Sequence, residues 1–204
     1  MSPSHAPARR GAASWFGLDT GTRTLGEADD LAHELVDRLR LPESAVVCTH
    51  LVRLGEPHVA LSLAVPPGFD GVWNELTRYA EHGTAGAAGG SGRSGRPDLA
   101  AAAALAAAEH QAGTGGRAVV FPGSAALRGT VLAGELLARS AIGRLVVFGG
   151  QPPEAGDLLE TRDHVRPEWR DGELVLAVTR IHNGRFAPFE AAPSAVCQAD
   201  QISP

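Results

Sequence analysis

One pair of β-type runs constrains the fold of this chain more than any other feature. Residues 45–54 and 58–65 are rich in valine, leucine and alanine, and Gly55, Glu56 and Pro57 separate them. Short apolar runs joined by glycine and proline are typical of a β-hairpin. We therefore expect an antiparallel sheet that begins in the N-terminal half. Helical patterns precede and follow the hairpin in the sequence, so the expected fold class is α+β.

Helical and strand patterns fill most of the remaining sequence. Apolar residues at helical spacing, bounded by polar or glycine residues, predict helices at residues 27–40, 72–79, 98–111 and 130–140. Further β-type runs predict strands at residues 117–121, 143–148, 173–179 and 185–191. The C-terminal half is thus expected to combine helices with strands of its own.

Two segments are expected to lack regular structure. Residues 1–26 are interpreted as a disordered N-terminal tail. Residues 84–97 are rich in glycine and serine, which predicts a flexible loop, because such a segment buries too little surface to offset the entropy of ordering it. The sequence then divides into a helix-plus-hairpin region at 27–83 and an α+β region at 98–204.

The composition excludes several kinds of chemistry. All 18 basic residues are arginines, so there is no lysine for an aldimine with pyridoxal phosphate, for a Schiff base or for a Walker A loop. Two cysteines cannot build a four-thiolate zinc site, and the eight histidines include no pair at i, i+4 spacing. We therefore expect neither a metal nor a cofactor.

Charge and hydropathy bear on partners and location. A net charge of −5 argues against binding to nucleic acid, which requires a basic face. No apolar stretch approaches the roughly 20 residues of a membrane span, and the first residues lack the apolar core of a secretory signal. We expect a cytoplasmic protein that binds neither nucleic acid nor membrane.

Two places in the sequence offer acid or base groups. Glu135 lies within an apolar helical pattern, where burial would raise its pKa into the range useful for catalysis; the alternative is a solvent-facing pair with Arg139. Asp163 and His164 lie in the densest polar cluster, residues 161–168. They can serve as acid and base if they face a cavity; the alternative is an exposed loop, because adjacent residues of an extended chain point to opposite faces.

The order of motifs in the C-terminal half is similar to that of a known family. Phe121-Pro122-Gly123, then Gly129, then Glu135-Leu136-Leu137-Ala138 resemble the turn and the glutamate-bearing central helix of the hot-dog-fold β-hydroxyacyl thioester dehydratases. The runs that follow are similar to the family's later strands and extend the resemblance over residues 121–199; they lie at residues 143–148, 165–178, 183–190 and 195–199.

The resemblance implies roles for particular residues. Glu135 matches the family's catalytic acid, and the turn and the start of the helix imply substrate-binding roles for Phe121, Gly123, Gly129 and Thr130. In the family a histidine directly precedes the phenylalanine of the turn and acts as the base, whereas this sequence has Val120 there. The base is then either missing or supplied from elsewhere, and the candidates are His58, His164, His50, His110 and a partner subunit.

The implied function is that of a dehydratase-like protein, a lyase of bacterial fatty-acid or polyketide-type biosynthesis. Its substrate would be a thioester of acyl carrier protein or coenzyme A, and its state a homodimer or heterodimer, with this chain as a catalytic or a degenerate partner subunit. Two alternatives stay open. One is a non-enzymatic accessory module that binds a protein partner, and the other is an α/β enzyme built around His50, His58 and Asp163.

Overall fold

A computed structural model describes residues 13–190, apart from positions 54, 70, 82 and 91. The helices of this part of the chain are α1 (Leu25–Leu39), α2 (Gly71–Glu81), α3 (Pro97–Ala112) and α4 (Ala133–Arg139). The strands are β1 (Ser14–Thr22), β2 (Val46–Val52), β3 (His58–Val65), β4 (Gly86–Gly89), β5 (Gly92–Gly95), β6 (Arg117–Val120), β7 (Thr130–Leu132), β8 (Ile142–Val147), β9 (Leu158–Glu160), β10 (Glu168–Arg170), β11 (Glu173–Arg180) and β12 (Phe186–Pro188).

The strands form one mixed sheet. Its order is β5-β4-β1-β3-β2-β6-β10-β11-β12-β9-β7, with β8 beside β11. The β8–β11 and β9–β12 pairs are parallel, and the other pairs are antiparallel. The α+β class is therefore confirmed. The expected hairpin is also present, since β2 pairs with β3 from Val46↔Ala64 to Val52↔His58.

The sheet joins the two halves of the chain through β6. This strand pairs with β2 on one side and with β10 on the other. A cluster of buried apolar side chains from β1, β3, α1 and α2 packs in the N-terminal half. A second cluster, from β6, α4, β8 and β11, packs in the C-terminal half. The junction between the two halves therefore lies along β2, β6 and β10.

Helix α3 packs unusually close to the sheet. A Cβ atom on Gly17 of β1 would lie 1.9 Å from the carbonyl oxygen of Ala103, and one on Gly86 of β4 would lie 2.0 Å from the backbone nitrogen of Ala100. Alanines on the helix and glycines on the strands are therefore required together, because larger side chains would hold the two backbones apart. The alanine-rich run is the sequence signature of this contact.

The prediction of a flexible loop at residues 84–97 is wrong at its centre. β4 and β5 form an antiparallel hairpin there, with register Gly86↔Gly95 and Gly89↔Gly92. The glycines that suggested disorder are used for close packing, since Gly95 adopts a φ of 83° and approaches Ala80 and the carbonyl of Ala85. Composition alone does not distinguish this use of glycine from flexibility.

The prediction of a disordered tail at residues 1–26 is wrong for its second half. β1 runs through the sheet between β3 and β4. Leu18 has no exposed surface and Phe16 is buried, while Gly17 between them faces α3. The strand is thus held by burial on both faces. The remainder of the predicted tail, residues 1–12, lies outside the described residues.

The remaining helices follow the sequence with one correction. The predicted helix at 130–140 is shorter, because residues 130–132 form β7 and pair with β9, and α4 begins only at Ala133. Helix α1 begins where Thr24 accepts a hydrogen bond from the backbone N–H of Glu27, and ends at Arg40 in the left-handed conformation. None of the described helices has the length and apolar character needed to cross a membrane.

Candidate functional site

Glu135 lies on the surface of α4. Its side chain is 45% exposed, and Oε1 accepts a hydrogen bond from Nη1 of Arg139 at 2.5 Å. Ala133 and Leu136 are the residues that α4 buries. The geometry is therefore the i, i+4 surface pair that the sequence left open as the alternative to a buried acid.

His58 is engaged in a separate ion pair on the other half of the sheet. Its Nε2 lies 2.7 Å from Oδ2 of Asp19, whose side chain is fully buried, and its Nδ1 lies 2.8 Å from the carbonyl oxygen of Glu56. Both acceptors require an N–H on the ring. Burial opposes the charge on the imidazole, but these two hydrogen bonds and the charge of Asp19 outweigh it and raise the pKa of His58.

His164 is buried and contacts a third set of residues. Its Nε2 lies 3.0 Å from Oε1 of Glu190, and the side chain is 7% exposed. Asp163, its neighbour in the sequence, instead accepts a hydrogen bond from the backbone N–H of Gly129. Glu135, His58 and His164 therefore lie in three different environments, each with its own partner.

The residues expected to bind substrate have structural contacts in the second core. Phe121 is buried, and Gly123 (φ 81°) sits so close to the end of α4 that a Cβ would lie 2.1 Å from the carbonyl oxygen of Arg139. The backbone of Gly129 (φ 62°) donates a hydrogen bond to Asp163 and accepts one from the hydroxyl of Thr161. Thr130 is an exposed residue of β7. The turn thus anchors α4 to the sheet.

A cleft of about 640 Å³ opens at the junction of the two halves of the sheet. This volume is in the range of small-molecule sites. Its polar wall contains His50 of β2, Glu109 near the end of α3, and Arg117 of β6. Its apolar wall comprises Leu25, Leu51, Phe148, Trp169, Val175, Leu176, Ala177 and Phe189.

The rim of this cleft exposes apolar side chains. Leu51 is 66% exposed, Phe148 is 63% exposed and Phe189 is 64% exposed. The rings of Phe148 and Phe189 meet edge to face, with centroids 5.4 Å apart. Large apolar groups concentrated at one opening are typical of a binding site, whereas single exposed ones are ordinary surface.

His50 and Glu109 form the polar pair of the cleft. Nδ1 of His50 lies 3.0 Å from Oε2 of Glu109; the imidazole is 3% exposed and the carboxylate side chain is 56% exposed. Burial lowers the pKa of His50 below its ordinary value, although the hydrogen bond and the charge of Glu109 act in the opposite direction. The pair therefore presents a neutral imidazole with a solvent-accessible carboxylate in front of it.

Behind His50, a series of buried polar side chains continues into the protein. Nε2 of His50 lies 2.8 Å from Oγ of Ser62, which lies 2.8 Å from Nδ1 of His110. Nε2 of His110 lies 3.7 Å from Sγ of Cys48. Burial raises the pKa of the Cys48 thiol, so the thiol keeps its proton. We call these residues, from Glu109 to Cys48, the His50 chain.

A largely buried ionic group also borders the cleft, and we call it the Arg117 cluster. It consists of Asp29, Arg117, His164, Arg166 and Glu190. The Arg117 guanidinium binds both oxygens of Asp29 at 2.6 and 3.1 Å and also contacts Glu190. Arg166 binds Asp29 at 2.9 Å. The cluster ties α1 and β6 to segments of the C-terminal half.

Charge pairing within the Arg117 cluster shifts the acidity of its members. Burial acts to raise the pKa of Asp29, but hydrogen bonds and charge from Arg117 and Arg166 outweigh it and lower that pKa. Likewise the pKa of Glu190 is lowered because Arg117 and His164 outweigh its burial. Both carboxylates are therefore ionised and satisfied, which makes the cluster a structural clamp beside the cleft.

Sequence reasoning missed most of this site. Among the candidate bases it included His50 and His110, but not the partners Glu109 and Ser62, and it did not single out Arg117 or Trp169. Two signals were available. A polar serine interrupts the apolar strand β3, and a polar Glu-His pair interrupts the alanine-rich sequence near the end of α3. The grouping of His50, His58 and Asp163 is not formed, since each binds a different partner.

Comparison with known proteins supplies no further guide. No protein family, no curated protein and no solved structure matches the chain. Within the described residues, no three or more histidine, cysteine or acidic side chains are grouped so as to hold a metal ion. Function must therefore be inferred from the cleft and its residues.

Proposed function

We propose that the protein binds an acyl compound in the cleft at the junction of the sheet and performs acid–base chemistry on it with the His50–Glu109 pair. A 3-hydroxyacyl thioester, carried by coenzyme A or acyl carrier protein, is the substrate class we put first. The observation that carries the proposal is one cavity of about 640 Å³ that combines a buried histidine–carboxylate pair with an exposed apolar rim.

The apolar wall supports the acyl part of this assignment. Leu51, Phe148 and Phe189 would contact a hydrocarbon chain at the opening, and Trp169 would contact it deeper in the cleft. Apolar surface removed from water contributes roughly 25 cal/mol per Å², so a short chain gains binding energy without a specific hydrogen bond. A polar group of the ligand would face His50 and Glu109.

The polar pair supports the reaction class. In the proposed dehydration, the Glu109 carboxylate removes a proton from the carbon beside the thioester carbonyl and passes it to the departing β-hydroxyl. The hydroxyl leaves as water while the carbon–carbon double bond forms. The neutral His50 imidazole holds the carboxylate by its N–H. Glu109 thus takes the role that the resemblance gave to Glu135, which pairs with Arg139 and does not line the cleft.

The hot-dog resemblance stays part of the proposal. What supports it is a largely antiparallel sheet with a 16-residue helix, α3, lying along it. That helix precedes the Phe121–Gly123 turn in this chain, whereas the resemblance places the central helix after the turn. Dimer formation, as homodimer or heterodimer, is proposed on the same ground, and the mass of the protein in solution tests it.

A direct experiment is a binding and turnover assay with short 3-hydroxyacyl and enoyl thioesters of coenzyme A. We expect binding that weakens when Phe148 is changed to alanine, and interconversion of the two thioesters that Glu109→Gln slows strongly. Glu43→Gln is the matched control, since Glu43 is an exposed residue outside the cleft. Absence of both binding and turnover in the wild-type protein would reject the proposal.

A non-enzymatic accessory module is the second candidate function. The exposed Phe148–Phe189 pair favours it, because exposed aromatic pairs are common where proteins associate. The same assay separates the two functions. A module that only binds a protein partner would show no thioester turnover, and Glu109→Gln would leave its partner binding intact while Phe148→Ala would weaken it.

A further inference from the structure

The His50 chain connects the His50–Glu109 pair of the cleft to buried polar side chains behind it. Its members come from α3, β2 and β3, and four contacts join them in the order Glu109, His50, Ser62, His110, Cys48. Ser62, His110 and Cys48 have no exposed surface. Buried polar groups of this kind cost free energy unless every donor finds an acceptor, so the placement of each proton is constrained.

We propose that the chain is a directional hydrogen-bond relay that fixes the proton of His50 on Nδ1, and that Ser62 is the positioning residue of the cleft. The direction of the hydrogen bonds follows from the groups at the two ends of the chain, Glu109 and Cys48. A Glu109 carboxylate only accepts, so Nδ1 of His50 donates to it. The neutral imidazole then has a lone pair on Nε2, which accepts the hydroxyl proton of Ser62.

The inner half of the chain completes the same direction. Because the single hydroxyl proton of Ser62 is directed to His50, its oxygen accepts from Nδ1–H of His110. The remaining nitrogen of a neutral His110 ring then accepts from the thiol of Cys48, which keeps its proton. Each of the four contacts along the chain then has one donor and one acceptor.

Ser62 is a positioning residue and not a nucleophile. The carboxylate, imidazole and hydroxyl stand in the order of a hydrolase triad, but Ser62 is fully buried on the side of His50 away from Glu109. A substrate in the cleft meets Glu109 first. In its link to catalysis the inference rests on the proposed function: through the Nδ1–H of His50 the relay holds the exposed Glu109 carboxylate in position to accept the proton of the substrate.

The test is nitrogen-15 NMR of the histidine side chains in the full, ligand-free chain, with His50 assigned by its loss in His50→Gln. We expect a protonated Nδ1 and an unprotonated Nε2 in the wild type. In Ser62→Ala the Nε2 signal should shift, because the unprotonated nitrogen loses its hydrogen-bond donor, while Nδ1 stays protonated through its bond to Glu109. Ser62→Thr, which keeps the hydroxyl, and Ser44→Ala, an exposed control, should keep the wild-type signals.

Two results would overturn the relay: a proton on Nε2 of His50 in the wild type, or unchanged His50 signals in a folded Ser62→Ala. If Ser62→Ala does not fold, the wild-type spectrum decides alone. Because this measurement uses no ligand, it separates the relay from the proposed function. Loss of thioester binding with the expected His50 signals rejects only the function. Should turnover be found, Ser62→Ala is expected to lower kcat while leaving KM nearly unchanged.

Discussion

The imidazole of His50 and the carboxylate of Glu109 stand 3.0 Å apart across 59 residues of sequence. β2 supplies the histidine, and the last turn of α3 supplies the glutamate. Their meeting depends on the close approach of α3 to the sheet, which the glycines of β1 and β4 allow. The cleft and its polar pair are therefore consequences of one packing contact.

The first prediction concerns that contact. Gly17→Ala should lower the free energy of unfolding by about 1–3 kcal/mol or more, because its methyl group would collide with the backbone of Ala103. Gly71→Ala is the control, since no atom lies within 4 Å of a Cβ at the start of α2. Urea unfolding measures both. Equal stability of the two variants would contradict the packing described for α3.

The second prediction concerns the Arg117 cluster. Arg117→Met leaves Asp29 and Glu190 without their main partner, and we expect a loss of about 3–5 kcal/mol in the free energy of unfolding. Arg139→Ala breaks only the exposed pair with Glu135 and should cost less than about 1 kcal/mol. A loss for Arg117→Met as small as that for Arg139→Ala would show that the cluster is not a clamp.

The third prediction is a dependence of stability on pH near neutrality. The pKa of His58 is raised in the folded state, so its pair with Asp19 contributes stability fully below the ordinary histidine value near 6.5. That contribution is lost as the pH rises through the folded pKa. The difference in unfolding free energy between wild type and His58→Gln should therefore shrink with rising pH. His50, whose pKa is lowered, is present in both proteins and cancels in the difference.

The fourth prediction concerns acid. The folded pKa of Asp29 is below its ordinary value of 3.8, so the carboxylate contributes stability above that pH and loses it as the pH falls through the folded value. Unfolding profiles of the wild type and Asp29→Asn should converge at low pH. Parallel profiles over the whole acid range would contradict the lowered pKa.

The sequence was a good guide to elements and a poor one to their arrangement. The hairpin of β2 and β3 and the helices α1, α2 and α3 follow from local periodicity and capping. β1 and the β4–β5 hairpin were missed, because glycine used for close packing has the same composition as glycine used for flexibility. The site was missed for a related reason, since His50, Ser62 and Glu109 meet only in the folded chain and no local spacing connects them.

The environment of Glu135 also could not be decided from the local sequence. Within its helical pattern Glu135 has apolar neighbours, so the sequence left both burial and a surface pair with Arg139 open. Because residues 130–132 form β7, α4 begins at Ala133 and its buried face takes Ala133 and Leu136 instead. Glu135 is left to pair with Arg139 in solvent.

The decisive measurement for the proposed role of Glu109 is the turnover of 3-hydroxyacyl-coenzyme A thioesters by Glu109→Gln, compared with the wild type, Glu43→Gln and Glu135→Gln. We predict that Glu109→Gln lowers kcat/KM by roughly 10²–10⁴-fold, as expected for loss of an acid–base group, while Glu43→Gln retains wild-type turnover. Full activity of Glu109→Gln, with the loss appearing in Glu135→Gln, would contradict it and return the site to α4.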